Sequence, residues 1–452
     1  MVIPAKQIHH FLPQAPTAPI RMPQPSLPQR HQRASCVPCV LLPLLSLIAG
    51  LLSAQATFAE DFQGSTHKLS FDDSPLFYST AEATDPVAKI AKNLRANRAA
   101  SWKPFHPNFG YLPALLEILN VPASSQMLVF SKTSVQRQNI DPANPRALYF
   151  SDDVYIGYIP GAPQLEIAAV DPLLGTVFYT VNQDKDEPVR LRRSNDCLSC
   201  HASARSMGIP GFVLRSIDTE SSGEIIQATD ADPIAHFTPI KDRWGGWYVT
   251  NLPPDWLHRG NSPGTQEREG DAAKQRLASI STSPLYPASG SDPVALLLHD
   301  HQTHMHNYIT RLHLEALKSI AEFGQVRYLD IPIRAFLRYL LFTEEAPLPS
   351  PLDPSPEFLG AFQKNAHRDS KGRSLKDFDL HTRIFRYPCS FLIDSEAFRN
   401  LPPPLRQTIL ERLHAILTGE DKHPDFANLS TTDCQAVLEI LRDTAPDLTS
   451  DW

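Results

Sequence analysis

Proline sets the limits of this chain. It occupies 42 of the 452 positions, and it cannot donate a backbone hydrogen bond and stops or kinks any helix it enters. A long coiled coil or a regular helical repeat does not fit, and many short elements joined by loops are expected. Hydrophobic residues make up 42% and charged residues 20%, so a sizeable core can form without metals or disulfides as staples. The length suits two or three domains.

Residues 1–39 carry Lys6, Arg21, Arg30 and Arg33 and no acidic side chain; Val40–Leu52 is an apolar run, and Ser53-Ala54-Gln55-Ala56 offers a small-x-small cleavage site. That is the order of a secretory signal, and the run is shorter than the about 20 apolar residues of a membrane span. Residues 1–56 are read as a cleaved signal peptide, with Met22 as an alternative start and an uncleaved anchor as the competing reading. Removing the leader moves the formal charge from −7 to −11. No basic cluster survives, which argues against nucleic acid and anionic membrane surfaces as partners. A periplasmic or otherwise exported protein is expected, with no stable membrane span after cleavage.

Six cysteines are present. Cys36 and Cys39 lie in the leader, and Cys389 and Cys434 fit either a disulfide or two buried thiols. The remaining pair forms Cys197-Leu198-Ser199-Cys200-His201. In a Cys-x-x-Cys-His spacing two thiols can close thioether bonds onto the vinyl groups of a haem while the adjacent imidazole becomes an axial iron ligand. A redox or zinc pair that happens to precede a histidine is the competing reading. Export favours the haem, because a lone Cys-x-x-Cys would tend to oxidise to a disulfide outside the cytosol. One covalent haem c is expected on Cys197, Cys200 and His201, with His201 as the proximal ligand.

The patterning predicts an α+β fold, an antiparallel sheet domain carrying the haem loop followed by a helical C-terminal region. After a helix over Leu112–Asn120, five short runs rich in β-branched and aromatic residues read as strands: 127–130, 147–150, 154–158, 165–170 and 176–181. Further strands are expected at 212–217, 224–227 and 246–250. Helical periodicity returns at 293–323, 333–342, 402–417 and 431–442. The resulting division is a haem domain over 57–260, a linker or long loop over 261–292, and a helical region over 293–452 packed on the haem domain.

The distal axial position decides the chemistry of a haem protein. Met207 is close in sequence but reads as a packing residue. His236, His258, His301 and His306 are the distal candidates. On a helix, His299, His306 and His313 share one stripe while His301 and His304 share another face; a bare-metal site at Asp300, His301 and His304 lacks a third strong ligand. In Arg243-Trp244-Gly245-Gly246-Trp247-Tyr248 the glycines could let the backbone approach a porphyrin, with Arg243 near a propionate, or the run could be a sheet edge with core aromatics. Arg192 and Arg193 are further propionate candidates.

Taken as a set, Phe130-Ser131-Lys132-Thr133-Ser134, the haem motif continuing into Gly208-Ile209-Pro210-Gly211, Arg243-Trp244-Gly245-Gly246-Trp247-Tyr248-Val249, His258-Arg259-Gly260-Asn261, Gln302-Thr303-His304-Met305-His306-Asn307 and Arg383-Ile384-Phe385-Arg386-Tyr387-Pro388-Cys389 resemble segments of exported monohaem cytochrome c-domain proteins of environmental bacteria. The resemblance implies c-type haem binding and electron transfer and supplies no substrate. The sequence departs from it at Asn251-Leu252-Pro253, where a loop containing glycine and histidine is expected. The leading expectation is an exported cytochrome passing single electrons to an unidentified redox partner. A peroxidase- or oxidase-type haem enzyme and a haem sensor with an open distal site remain the alternatives, so whether the chain is an enzyme is left open.

Overall fold

The computed structural model describes residues 68–96, 105–187, 189–226, 233–264 and 271–452; the expected signal peptide lies outside them. Seven antiparallel strands, β1 (Met127–Val129), β2 (Arg146–Phe150), β3 (Val154–Tyr158), β4 (Gln164–Asp171), β5 (Gly175–Asn182), β6 (Arg192–Arg193) and β7 (Trp247–Tyr248), form one sheet in the order β6-β5-β4-β3-β2-β1-β7. The helices are α1 (Pro86–Arg95), α2 (Leu112–Ile118), α3 (Leu198–His201), α4 (Asp271–Ser281), α5 (Pro293–Phe323), α6 (Asp330–Leu340), α7 (Pro356–Gln363), α8 (Glu396–Arg399), α9 (Pro403–Leu417) and α10 (Thr431–Thr444). The fold is therefore mixed α+β with a helical C-terminal region.

Proline marks where many helices begin. It stands in the first turn of α1, α2, α5, α7 and α9, where its missing N–H has no intrahelical partner to lose. Between β4 and β5, Asp171 Oδ1 accepts from the backbone of Leu173 and Leu174 at 2.9 and 3.0 Å, and Gly175 takes φ +81°. Both features belong to a tight hairpin turn.

Residues paired across strands share a face. One face, including Tyr149, Ile156, Tyr158, Ile167, Val177 and Tyr179, is buried. N-terminal residues cover it: Tyr158 donates to the Asn108 carbonyl, and Tyr179 donates to Asp85, the N-cap of α1. The other face is closed over Phe150 and Tyr155 by α5. Farther along it, Arg146, Leu148, Gln164, Glu166, Ala168 and Thr180 are only half-buried.

Helix α5 is capped by Asp292, whose carboxylate accepts from Val294 and Ala295, and ends at Gly324 with φ +72°. Every residue from Pro293 to Leu314 is buried. Among the described residues no helix is long and apolar enough to cross a membrane. The strand expected at 212–217 is extended chain outside the ladder, and of the strand expected at 224–227, residues 224–226 contribute only a bridge between Thr219 and Ile225 while Gln227 lies outside the described residues. The Phe212 backbone is bonded instead by Asn307 of α5 and Ile217 N by the Gly245 carbonyl, while Ile226 N donates to Asp218 O.

Candidate functional site

The Cys197–His201 segment leaves the outer strand β6 and turns at once into α3, a single helical turn. Both ends of the loop it begins are tied to β5. Ser194 N donates to Phe178 O at 2.9 Å, and Thr176 N donates to Pro210 O at 3.3 Å. Inside the loop, Ser206 Oγ donates to the Ile209 carbonyl at 2.8 Å and accepts from Ser203 N at 3.1 Å.

His201 and Gly211 are joined twice, through Gly211 N to His201 O at 2.9 Å and through His201 Nδ1 to Gly211 O at 3.0 Å. A carbonyl only accepts, so Nδ1 carries the proton and Nε2 presents a lone pair. The ring rests on Phe178, with centroids 4.8 Å apart. Its burial holds the imidazole below its usual pKa, which favours the neutral form. Cys197 is half-buried, Cys200 is exposed, and both are free thiols. Burial, and after it the charge of Glu166, pushes the Cys197 thiol up to about 11.

Helix α5 holds this loop from behind. The Asn307 side chain accepts from Phe212 N and donates to Phe212 O, each at 2.8 Å, while Arg311 donates to Met207 O at 2.7 Å. Gly211 is required beneath them, because a Cβ there would stand 2.4 Å from Asn307 Oδ1. Met207 is buried in the core with φ 57°. Beside His201 the half-buried sheet face has a floor of Leu148, Gly157 and Ala168, with Arg146 and Glu166 paired at 3.1 Å along it. This donor set fits haem c: two free thiols and an imidazole with Nε2 ready to ligate, on one turn, next to a flat surface of small side chains.

The four distal candidates fall into separate places. His236 and His301 meet each other through Nδ1 at 2.9 Å and stack on Tyr339 and Phe342; His301 Nε2 also meets Ser390 Oγ at 2.8 Å. His306 directs Nε2 at the Asp152 carbonyl at 2.8 Å. His258 accepts from Gly260 N at 3.0 Å and lies beside Trp244. The helical stripes are as the spacing predicts: His299 and His306 face Tyr155 on the sheet, and His301 and His304 face Tyr339 on α6.

The tryptophan motif is a core element. Arg243 is buried against Asp300 at 3.0 Å and also donates to the carbonyls of His236 and Thr238. Trp244 donates to the same Asp300 oxygen at 3.1 Å. Gly246 lets the backbone approach Ser131, since a Cβ there would lie 2.7 Å from the Ser131 Cβ. Arg193 is likewise engaged with the carbonyls of Tyr78 and Ala81, so neither arginine is free to meet a propionate. Burial pushes the Asp300 carboxyl up to about 6, against the opposing pull of Arg243.

Among the described residues no three His, Cys, Asp or Glu side chains converge on a bare metal ion. Asp300 Oδ2 is taken up by Arg243 and Trp244, and both His301 nitrogens by His236 and Ser390. Cys389 and Cys434 are free thiols. A cavity of about 280 Å³ lined by Asp152, Asp153, His367, Lys376 and Asp394 does not include the motif. In comparisons with known proteins, no family model, no curated protein and no solved structure matches the chain.

Proposed function

We propose that this chain is an exported c-type cytochrome that carries one covalent haem on Cys197, Cys200 and His201 and passes single electrons to a partner protein. The observation that carries the reading is the His201 ring: Nδ1 is fixed on the Gly211 carbonyl, so Nε2 is the ligating nitrogen, on the same turn as two free thiols. Attachment needs each thiol to add across a vinyl group, sulfur to one carbon and hydrogen to the other. The exposed position of Cys200 leaves that side of the turn open to a haem and to the enzymes that attach it. A haem there supplies a one-electron iron couple. The chain's own part is to hold the ring through Gly211, anchor Phe212 to Asn307, and leave the edge beside Cys200 at the surface for outer-sphere transfer.

The test is the optical spectrum, oxidised and reduced, with and without carbon monoxide, of protein matured in a host that attaches haem c. Covalent haem that is lost in Cys197→Ser/Cys200→Ser, with a low-spin spectrum indifferent to carbon monoxide, supports the reading. Covalent haem with a high-spin ferric spectrum and ready carbon monoxide binding replaces the carrier by a haem enzyme or sensor. No covalent haem overturns the reading.

A further inference from the structure

Four residues lie side by side across four neighbouring strands of the sheet: Phe178 on β5, Ala168 on β4, Tyr155 on β3 and Phe150 on β2. His201 rests on the first of them, Phe178, at 4.8 Å. The ring of His299 stands at the other end, 5.8 Å from Tyr155 and 5.7 Å from Phe150. Ala168 is the one small side chain of the row, and it is half-buried. With strands about 4.8 Å apart, Phe178 and Tyr155 are about 10 Å apart, so the supports of the two imidazoles flank a slot floored by one methyl group and the adjacent Gly157, with Phe212 packed on its Tyr155 end at 4.3 Å.

Trp247 packs 5.9 Å from His299 and donates to the carbonyl of Arg215. The His299 ring makes no hydrogen bond among the described residues, and Nδ1 is fully buried. An imidazole nitrogen enclosed in that way is unfavourable unless a partner is supplied. Of the other histidines, His306 is committed to Asp152, and His301 to His236 and Ser390.

Resting on the haem reading above, we propose that His299, presented by α5 across the slot from His201, is the second axial ligand of the iron. Bis-histidine ligation makes the site a low-potential electron carrier with no open position.

The experiment uses the full chain matured with covalent haem and compares wild type, His299→Ala, His299→Met and His306→Ala. Haem content is read by haem stain and pyridine haemochrome, and ligation by optical and EPR spectra and midpoint potential. Expected are low-spin spectra for wild type and His306→Ala. His299→Ala retains covalent haem but turns high-spin, binds carbon monoxide, and returns to low-spin with added imidazole; His299→Met is low-spin with a raised potential. A His299→Ala protein that stays low-spin, or a His299→Met protein with unchanged potential, overturns the ligand assignment while leaving covalent haem in place. Where His299→Ala does not mature, His299→Met decides. Wild type without covalent haem overturns the haem reading itself, and this assignment with it.

Discussion

Asn307 closes both backbone hydrogen bonds of Phe212, as a neighbouring strand would, from the side of a buried helix. Phe212 follows Gly211, whose carbonyl fixes the His201 ring, so the amide sits one residue from the atom that orients the imidazole. Replacing Asn307 by Ala strands a buried N–H and a buried carbonyl. Unfolding free energy is expected to fall by about 2 kcal/mol or more in urea titrations. Asn307→Asp, which keeps the acceptor and loses the donor, should not restore wild-type stability.

The Arg243–Asp300 pair is almost fully enclosed, at 1% and 0% side-chain exposure. Removing one partner leaves the other charge buried and alone, so Arg243→Ala is expected to cost about 3–5 kcal/mol. Replacing both by apolar residues, as in Arg243→Met/Asp300→Leu, should recover much of that loss. Thermal and urea unfolding of the single and double variants measures the difference.

Six histidines, His236, His258, His301, His304, His306 and His313, have their protonation depressed by burial, His258, His306 and His313 to about 4 and His304 to about 3. Each is neutral when folded and takes up a proton on unfolding below the ordinary value of about 6.5. Asp153 and Glu345, pushed up by burial to about 7, Asp300, at about 6, and Asp85 and Asp292, also raised by burial, oppose this by releasing protons on unfolding. The histidines outnumber the carboxyls. Stability is therefore expected to fall as pH drops from about 6.5 toward 4, and urea midpoints across that range check the sign.

Gly157 can be filled without disturbing the sheet, since a Cβ there meets Glu166 and Leu148 at ordinary contact distances of 3.5 Å. On the haem reading proposed above, Gly157→Val should keep the fold, read by circular dichroism, and reduce covalent haem yield several-fold by raising the floor beside His201. Normal haem loading in this variant would show that the floor is not used.

Strands β1 to β5 were legible because their β-branched and aromatic runs alternate with turn residues, and α5 because Asp292-Pro293 and Gly324 are explicit start and stop signals. Helix α1 was missed: its cap, Asp85-Pro86, lies in a stretch with little apolar periodicity, and the Tyr179 contact that stabilises it comes from far along the chain. The Trp244 segment has the composition of a ligand-facing loop. Asp300 draws it into the core instead, and no local pattern announces a partner 56 residues away. At the candidate site the motif could be read directly. The helical spacing gave the stripe that faces the sheet, but it could not single out His299, because that depends on which strands lie beneath the helix.

Strand β5 is eight residues long, yet β6 pairs with only Tyr179 and Thr180. Near its other end the outer edge is occupied by Ser194 and Pro210, which bracket the segment bearing the cysteines. A chain in which that segment comes loose bares an apolar strand edge, the kind of surface on which separate chains add to one another's sheets. Keeping the loop in place is thus a condition of solubility, and molecules in which it is loosened should be the ones that aggregate.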